Sequence, residues 1–366
     1  MTMLRAETRI ALPDPAAVLR PLCEHLREHE AEVGEVDGVT TIGLDGSRAE
    51  LRTVAGALVA VVEASDLAGL QGMKLAVASH VVEFAPQGFA PTIRWSGDGA
   101  EPMLPPDFRV LMVTTAEQLT PHMRRIRFRG EDLARYDTLE ALHVRLFIPP
   151  PGLPEPAWPM IGADGLLQTP PPEQRPAIRK YTIREIDVAA GTLAIDFVLH
   201  DDAGPGSAFA ARVQVGDRIG MAGPGGRGLK QAARYLFLAD ETGLPALARM
   251  LGHLPAGATG LALVEIADAA ERQPLVLPSG VSLRWLHRDG AAPGSTSLLT
   301  DALATLDWPA GEGSLYLWAA CEHTAFREIR AAARQSLRPE IDAHLVVSYW
   351  RAGISEEQHA AEKKAA

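Results

Sequence analysis

The sequence predicts three domains in order. They are a small α+β unit over residues 1–85, a six-stranded antiparallel β-barrel over 107–228 and an α/β domain with a parallel sheet over 229–353, with a tail at 354–366. Three observations carry this. Residues 86–106 hold five prolines and three glycines and read as a linker. Short period-two segments then follow one another without long helices, as in an antiparallel barrel. From Arg234 onward, continuous apolar runs alternate with helical stretches, the rhythm of a buried parallel sheet. A chain of 366 residues has room for this, at about 150 residues per domain.

In the first unit, Pro13-Asp14-Pro15 opens a helix, with Asp14 near the N-cap and Pro15 suited to the first turn. Leu19, Leu22, Cys23 and Leu26 form its apolar stripe, which makes Cys23 a buried small hydrophobe. Strands are expected over 38–43, 49–54 and 57–63, the first two joined by the hairpin signal Asp45-Gly46. Ser65 is expected to cap a helix carrying Leu67, Leu70 and Leu75. His25 and His29 stand four apart on the first helix, a spacing that can bind metal. The sequence shows no third ligand, so solvent-exposed imidazoles are the simpler reading.

Barrel strands are expected over 108–113, 123–129, 142–148, 177–186, 192–200 and 217–221. In the second, Ile126 and Phe128 alternate with Arg125, Arg127 and Arg129, which gives a basic outer face. Residues 149–176 carry ten prolines and read as a surface excursion without strand. In the last domain, strands are expected over 235–239, 261–266, 283–286, 315–319 and 344–349. Helices are expected from near Thr242, over 295–306 and over 323–337.

Composition excludes several classes. Lys and Arg number 35 against 46 Asp and Glu, a net charge of −11, so generic binding to nucleic acid or an anionic membrane is not expected. Two cysteines, Cys23 and Cys321, are too few for a disulfide scaffold, a Cys-ligated iron–sulfur cluster or a Cys-rich zinc site. The first residues lack the apolar core of a signal peptide, and no run of about 18 apolar residues occurs. The expected location is therefore cytoplasmic, in a reducing compartment, with no membrane span.

Chemistry concentrates at a few places. On the strand Arg179-Lys180-Tyr181-Thr182-Ile183-Arg184, alternation puts Arg179 and Tyr181 on one face and Thr182 and Arg184 on the other. An Arg and a Tyr on one face can hold a diphosphate and cover an aromatic ring, though an ordinary half-exposed barrel strand looks the same. Asp196 to His200 closes the next strand. Gly206-Ser207 then opens a helix whose N-terminus can cradle phosphate or can simply be capped. The glycine-rich run 223–228 does not match a phosphate loop and reads as an interdomain turn. Asp240-Glu241-Thr242-Gly243 lies at the carboxyl end of the first parallel strand, where a dinucleotide would lie. Bare acids there would repel phosphate, so a ribose, a flavin edge or a basic side chain suits Asp240 and Glu241 better. Cys321-Glu322-His323 ends a later strand. Cys321 has no visible base partner, and packing beside a cofactor is favoured over nucleophilic catalysis.

Together these motifs resemble the siderophore-interacting protein family of flavin-dependent ferric-siderophore reductases, which are ferredoxin-reductase-like. The resemblance runs from Asp107 to Gly353. It rests on Arg179-x-Tyr181-Thr182-x-Arg184, Asp196-x-Val198-x-His200 and the segment Gly204-Pro205-Gly206-Ser207-Ala208-Phe209-Ala210. It continues with Ala239-Asp240-Glu241-Thr242-Gly243-Leu244-Pro245-Ala246, Ala319-Ala320-Cys321-Glu322 and Tyr349-Trp350-Arg351-x-Gly353. Gly206 and Phe209 stand where the family usually has Ala and Trp, Ala239 replaces a Gly, and Cys321 departs from an A-G-E segment. Residues 1–85 look like a small uncharacterised domain sometimes fused to this family.

The resemblance implies one non-covalent FAD and NAD(P)H as electron donor, a ferredoxin being the other possible donor. Arg179, Tyr181 and Thr182 would hold the flavin, with Tyr181 and Thr182 at the reacting ring. Val198, His200, Gly206, Ser207 and Ala208 would line the remainder. Asp240, Glu241, Thr242 and Glu322 would meet the nicotinamide cofactor. An anionic ferric siderophore needs a local basic patch on an acidic protein, and Arg145, Arg184 and Arg351 are the candidates. Two alternatives keep the fold: a flavin reductase serving another acceptor or protein partner, and a non-enzymatic siderophore- or flavin-binding protein.

Overall fold

The computed structural model describes residues 3–29, 31–153, 155–200, 204–306, 313–356 and 358. Residues Asp201 to Ala203 of the loop before the Gly204 segment lie outside the described residues.

The N-terminal unit is a six-stranded sheet carrying two helices. Its elements are β1 (Leu4–Ala11), α1 (Pro15–Glu28), β2 (Glu32–Val36), β3 (Val39–Leu44), β4 (Ser47–Val54), β5 (Ala57–Ala64), α2 (Leu67–Glu83) and β6 (Trp95–Gly97). The strand order is β2-β3-β4-β5-β1-β6. Asp14 caps α1 as expected, its carboxylate accepting from Ala16 N at 3.1 Å and Ala17 N at 3.0 Å. The cap of α2 is Asp66 rather than Ser65, because the Asp66 carboxylate reaches Gly69 N at 2.8 Å. Asp45 and Gly46 both take positive φ (47° and 74°), the turn that closes a two-residue hairpin between β3 and β4.

Strand β1 was not anticipated, yet its pattern is period two: Ala6, Thr8 and Ile10 are buried while Arg5, Glu7 and Arg9 face out. The expected linker contributes β6, which pairs antiparallel with β1.

The barrel strands are β7 (Phe108–Thr120), β8 (Met123–Arg129) and β9 (His143–Ile148), then, after an excursion, β12 (Ala177–Asp187), β13 (Thr192–Val198) and β14 (Arg218–Gly225). The excursion contains strand after all. β10 (Met160–Ile161) and β11 (Leu167–Gln168) form a minimal hairpin, since Gly165 permits the tight turn between them. Residues Pro149–Pro176 group with the N-terminal unit, and Arg109–Ile148 with Ala177 onward form the second compact unit. The barrel closes in the order β12-β13-β8-β7-β14-β9. Ile126, Phe128, Ile183, Leu193, Ile195 and Phe197 fill it, as alternation requires. The helix α3 (Pro205–Arg212) follows β13, and Phe209 packs into the barrel core.

The α/β part comprises β15 (Arg234–Ala239), α4 (Leu244–Leu251), β16 (Thr259–Ile266), β17 (Gly280–His287), α5 (Leu298–Ala304), β18 (Leu315–Glu322), α6 (His323–Ser336) and β19 (Ala343–Trp350). All five strands are parallel, in the order β17-β16-β15-β18-β19. The order reverses at β15, so its carboxyl end is the switch point where ligands of such sheets bind. The glycine-rich run is partly strand: β14 extends to Gly225, with a register shift after Ala222. No described helix is long and apolar enough to cross a membrane.

Candidate functional site

The expected residues gather in three groups joined by two strands. The first is at the barrel end. Arg179 and Tyr181 on β12 share a face, and the Tyr181 ring packs on Phe197 of β13 at 4.4 Å between centroids. Helix α3 begins alongside. A Cβ on Gly206 would lie 2.1 Å from the Tyr181 hydroxyl, so the absent side chain is what lets the ring lie against the helix start. Ser207 Oγ accepts from His200 N at 3.2 Å, which ties the end of β13 to the helix. Val198 ends β13, and Ala208 N is already used, donating to Gly204 O at 2.9 Å.

The helix start carries no side-chain cap; Pro205 has no N–H, so Gly206 and Ser207 carry its first N–H groups, and Arg179 adds a cation on the β12 face that bears Tyr181. An anion does stand at Arg179: the Glu356 carboxylate lies 3.5 Å from Nε and also accepts from Lys180 N at 3.3 Å. Burial pushes the Tyr181 phenol up, Glu356 adds to that and Arg179 opposes it, so the hydroxyl stays protonated.

The second group sits where the barrel meets the α/β part. Thr182 is buried and faces away from Tyr181. Its hydroxyl bonds Tyr349 on β19, whose hydroxyl also meets His143 Nε2 at 2.6 Å. His143 is the cross-strand neighbour of Thr182, and Lys180 is the neighbour of Arg145 one row along the same face. Arg145 is exposed there, and Arg351 is exposed just past β19. Arg184 is placed differently from expectation. Its side chain is 15% exposed and lies 3.7 Å from Asp196, which Arg125 already holds at 2.7 and 2.8 Å. Burial lowers the Arg184 pKa against the pull of Asp196. Its charge serves this strand cluster rather than an open face.

The third group lines a cleft at the carboxyl ends of the parallel strands. Asp240 Oδ1 accepts from Thr242 N at 2.9 Å, Thr242 Oγ1 at 2.5 Å and Gly243 N at 3.2 Å. Its Oδ2 accepts from Glu322 N at 2.9 Å and Trp350 Nε1 at 2.8 Å. Asp240 is therefore the internal fastener of β15, β18 and β19, and Thr242 is committed to it. Of the readings open for Glu241, the basic side chain is the one realised: Arg288 grips it at 2.5 and 2.9 Å and approaches Glu265 at 3.5 Å. Burial works against the Arg288 charge, but the two carboxylates outweigh it and its pKa rises. Glu322 caps α6 through Thr324 N and accepts from Ala352 N at 3.2 Å. Burial, reinforced by Asp240, Glu322 and Glu265, pushes the Cys321 thiol far up, so it is a packed thiol and no nucleophile.

Arg249 on α4 links the groups. Wholly buried, it donates to Ile183 O at 3.1 Å and Tyr136 O at 3.3 Å, so the α/β part holds the strand that carries Tyr181 and Thr182. Across the same junction, the buried Glu271 accepts from Thr120 Oγ1 at 2.5 Å and His122 N at 3.0 Å. Among these partners, Tyr349 and Trp350 were legible in a motif. His143, Arg249, Glu271, Arg288 and Glu356 had no sequence signal, because each acts through a contact distant in the chain.

Comparison with known proteins agrees with this geometry. Residues 112–228 match the siderophore-interacting FAD-binding domain, 232–353 the siderophore-interacting protein family, and 7–96 an uncharacterised domain conserved in bacteria. This chain belongs to the siderophore-interacting protein family. A siderophore utilization protein from T. fusca is 39% identical with a TM-score of 0.59, covering 68% of this chain and 94% of its own. The siderophore-interacting protein SipS from Aeromonas hydrophila is 32% identical with a TM-score of 0.59, covering 71% and 98%. The ferric vibriobactin reductase ViuB of Vibrio cholerae is 27% identical over 267 residues, 70% of this chain and 93% of its own. The barrel is thus an FAD-binding domain. Arg179 and the uncapped start of α3 have the chemistry that would suit a flavin diphosphate, and the Tyr181 ring that of a flat aromatic neighbour.

Proposed function

We propose that this protein is an FAD-dependent ferric-siderophore reductase that draws electrons from NAD(P)H and releases ferrous iron in the cytoplasm. The observation that carries the reading is the single strand β12. It presents Tyr181 to the helix start, with Arg179 on the same face, and Thr182 to Tyr349 at the α/β junction on the other. The names of similar proteins support the substrate class: ViuB is a ferric vibriobactin reductase, and a 32% identical Escherichia coli protein is an NADPH-dependent ferric-chelate reductase.

FAD held there would supply the step between a two-electron nicotinamide donor and a one-electron ferric acceptor. The protein's own share is placement and charge. Arg179 and the first N–H groups of α3 would hold the diphosphate, and Tyr181 would cover the ring. Thr182, on the opposite face of β12, is held by Tyr349 and would fix the strand against the α/β part. Arg145, with Lys180 beside it, and Arg351 draw an anionic chelate to the adjoining face. Arg184 supports that face indirectly by holding Asp196. The cleft at the carboxyl ends carries Asp240, Glu241, Glu265 and Glu322 against Arg288, which Glu241 already holds.

The test is an anaerobic visible spectrum of the purified protein given NADH or NADPH, then a ferric siderophore with a ferrous trap. Bleaching and recovery of a flavin band as trap colour appears supports the reading. Bleaching only with a reduced ferredoxin moves the donor. A protein that cannot be loaded with flavin overturns the reading.

A further inference from the structure

We propose that the outer face of α6, with Arg227 beside it, docks an acidic segment of a partner protein. Along the helix His323, Arg327, Arg330 and Arg334 follow one another at helical spacing. At about 100° per residue the four fall within about 60° of one another, a single stripe along the helix. Such spacing ordinarily marks an apolar seam. In α6 the seam is elsewhere: Ile329 and Ala333 are buried, whereas Arg327, Arg330 and Arg334 are exposed.

The chain does not neutralise this stripe. Like charges three or four residues apart on a helix repel. The charged neighbours of Arg330 at those spacings are Arg327 and Arg334. Glu328, the acid of α6, lies about 120° round from the centre of the stripe. Arg330 rests over the Phe326 ring at 5.7 Å, which holds it without cancelling its charge. Among the described residues, Arg227, Arg327, Arg330 and Arg334 have no carboxylate partner. Elsewhere Arg125, Arg127 and Arg288 each have one, as does Arg338 just past the helix. With 46 acids to 35 bases in the chain, the lack is local and not a shortage of acids.

The stripe borders the rim of the parallel sheet. β19 is its last strand, and α6 packs on it. His344 lies near the start of β19. Partial burial lowers its pKa, and Arg334, Arg330 and Arg227 push it the same way, so cations from α6 and from the loop after β14 act on one imidazole. The partner follows from length, spacing and charge. From Arg327 to Arg334 the stripe runs about 10 Å, too long for one phosphate or carboxylate group. One cation per helical turn matches carboxylates that repeat along a polypeptide. A planar anionic membrane would also meet the rest of a chain of net charge −11 and repel it, whereas a peptide meets the patch alone. Neither the outer face of α6 nor Arg227 enters the reductase reading, so the two stand or fall separately.

The test is fluorescence anisotropy of a labelled deca-glutamate peptide titrated with the full chain at low ionic strength, with deca-glutamine as the neutral control. The expected result is binding of deca-glutamate alone, weakening as salt rises. Arg330→Ala combined with Arg334→Ala should weaken it roughly 2–30-fold, the scale of two exposed ion pairs. Both residues are exposed and alanine is the best helix former, so this variant keeps the fold. Arg129→Ala combined with Arg218→Ala removes the same charge from exposed barrel positions and should leave binding unchanged. No binding of deca-glutamate, or equal weakening by the two variants, overturns the proposal. Displacement of the peptide by inorganic phosphate beyond that by chloride of equal ionic strength also overturns it, by making the patch a small-anion site. Binding to phosphatidylserine vesicles in place of the peptide overturns it by making the patch a membrane surface.

Discussion

Replacing Asp240 with Asn tests whether this carboxylate fastens the sheet or binds a cofactor. Its two oxygens accept from five groups: Thr242 N and Oγ1, Gly243 N, Glu322 N and Trp350 Nε1. Four of these are N–H groups that can only donate. Burial pushes the Asp240 carboxyl up, and the donors oppose that push. An asparagine turns one oxygen into an NH2, so whichever way the amide faces, at least two buried donors meet a donor. At about 1–3 kcal/mol for each unsatisfied buried group, the loss is about 2–6 kcal/mol. Urea unfolding followed by tryptophan fluorescence reads this directly, since Trp350 is one of the partners. The expected outcome is a lower midpoint with shifted Trp350 emission in the folded protein. A variant as stable as wild type to within about 0.5 kcal/mol, but impaired in nicotinamide binding, would refute the fastening role and restore Asp240 as a ligand.

Three other outcomes follow from named contacts. Glu356→Gln removes the carboxylate at Arg179, so FAD should bind up to about fivefold more tightly in a fluorescence titration, the scale of a partly exposed ion pair; unchanged affinity would mean the two do not compete. Gly206→Ala places a Cβ 2.1 Å from the Tyr181 hydroxyl. The ring must swing away, and the visible spectrum of bound FAD should change while thermal stability stays near wild type. The Arg338 bond, with Leu315 N and Arg338 N also donating, holds the Asp342 carboxyl well below the usual carboxylate range. Its stabilisation is full above the unfolded value of about 3.9 and fades as pH falls through the depressed folded one. Asp342→Asn should therefore lower stability at pH 6, with the gap to wild type narrowing in acid.

The barrel and the parallel sheet were legible because their strands are long, apolar and regular. Ile126 and Phe128 alternate with arginines, and Tyr235 to Ala239 is an unbroken apolar run, so each strand announces its own environment. What escaped was short or weakly patterned. Glu32–Val36 is an almost wholly exposed edge strand with no apolar face to read, and Trp95–Gly97 is three residues in a proline-rich stretch. The motif strand was legible as a strand, but the partners of the charges on and near it were not. Sequence can place Arg184 or Asp240 at the right end of a strand. Only the fold shows that Asp196 and Trp350, respectively, have already claimed them.

Arg249 has a consequence for how this enzyme meets a changing ionic environment. Its guanidinium rests on two peptide carbonyls, which are neutral, and Asp137 stands further off at 3.8 Å. Mobile ions screen attraction between opposite exposed charges, but they have little hold on a buried cation bonded to dipoles. The alignment between the flavin-bearing strand and the parallel sheet is therefore built to be indifferent to salt. The recruitment of an anionic chelate proposed for Arg145 and Arg351 would respond to it. On that proposal, capture of the substrate responds to the medium while the junction between β12 and the parallel sheet is insulated from it.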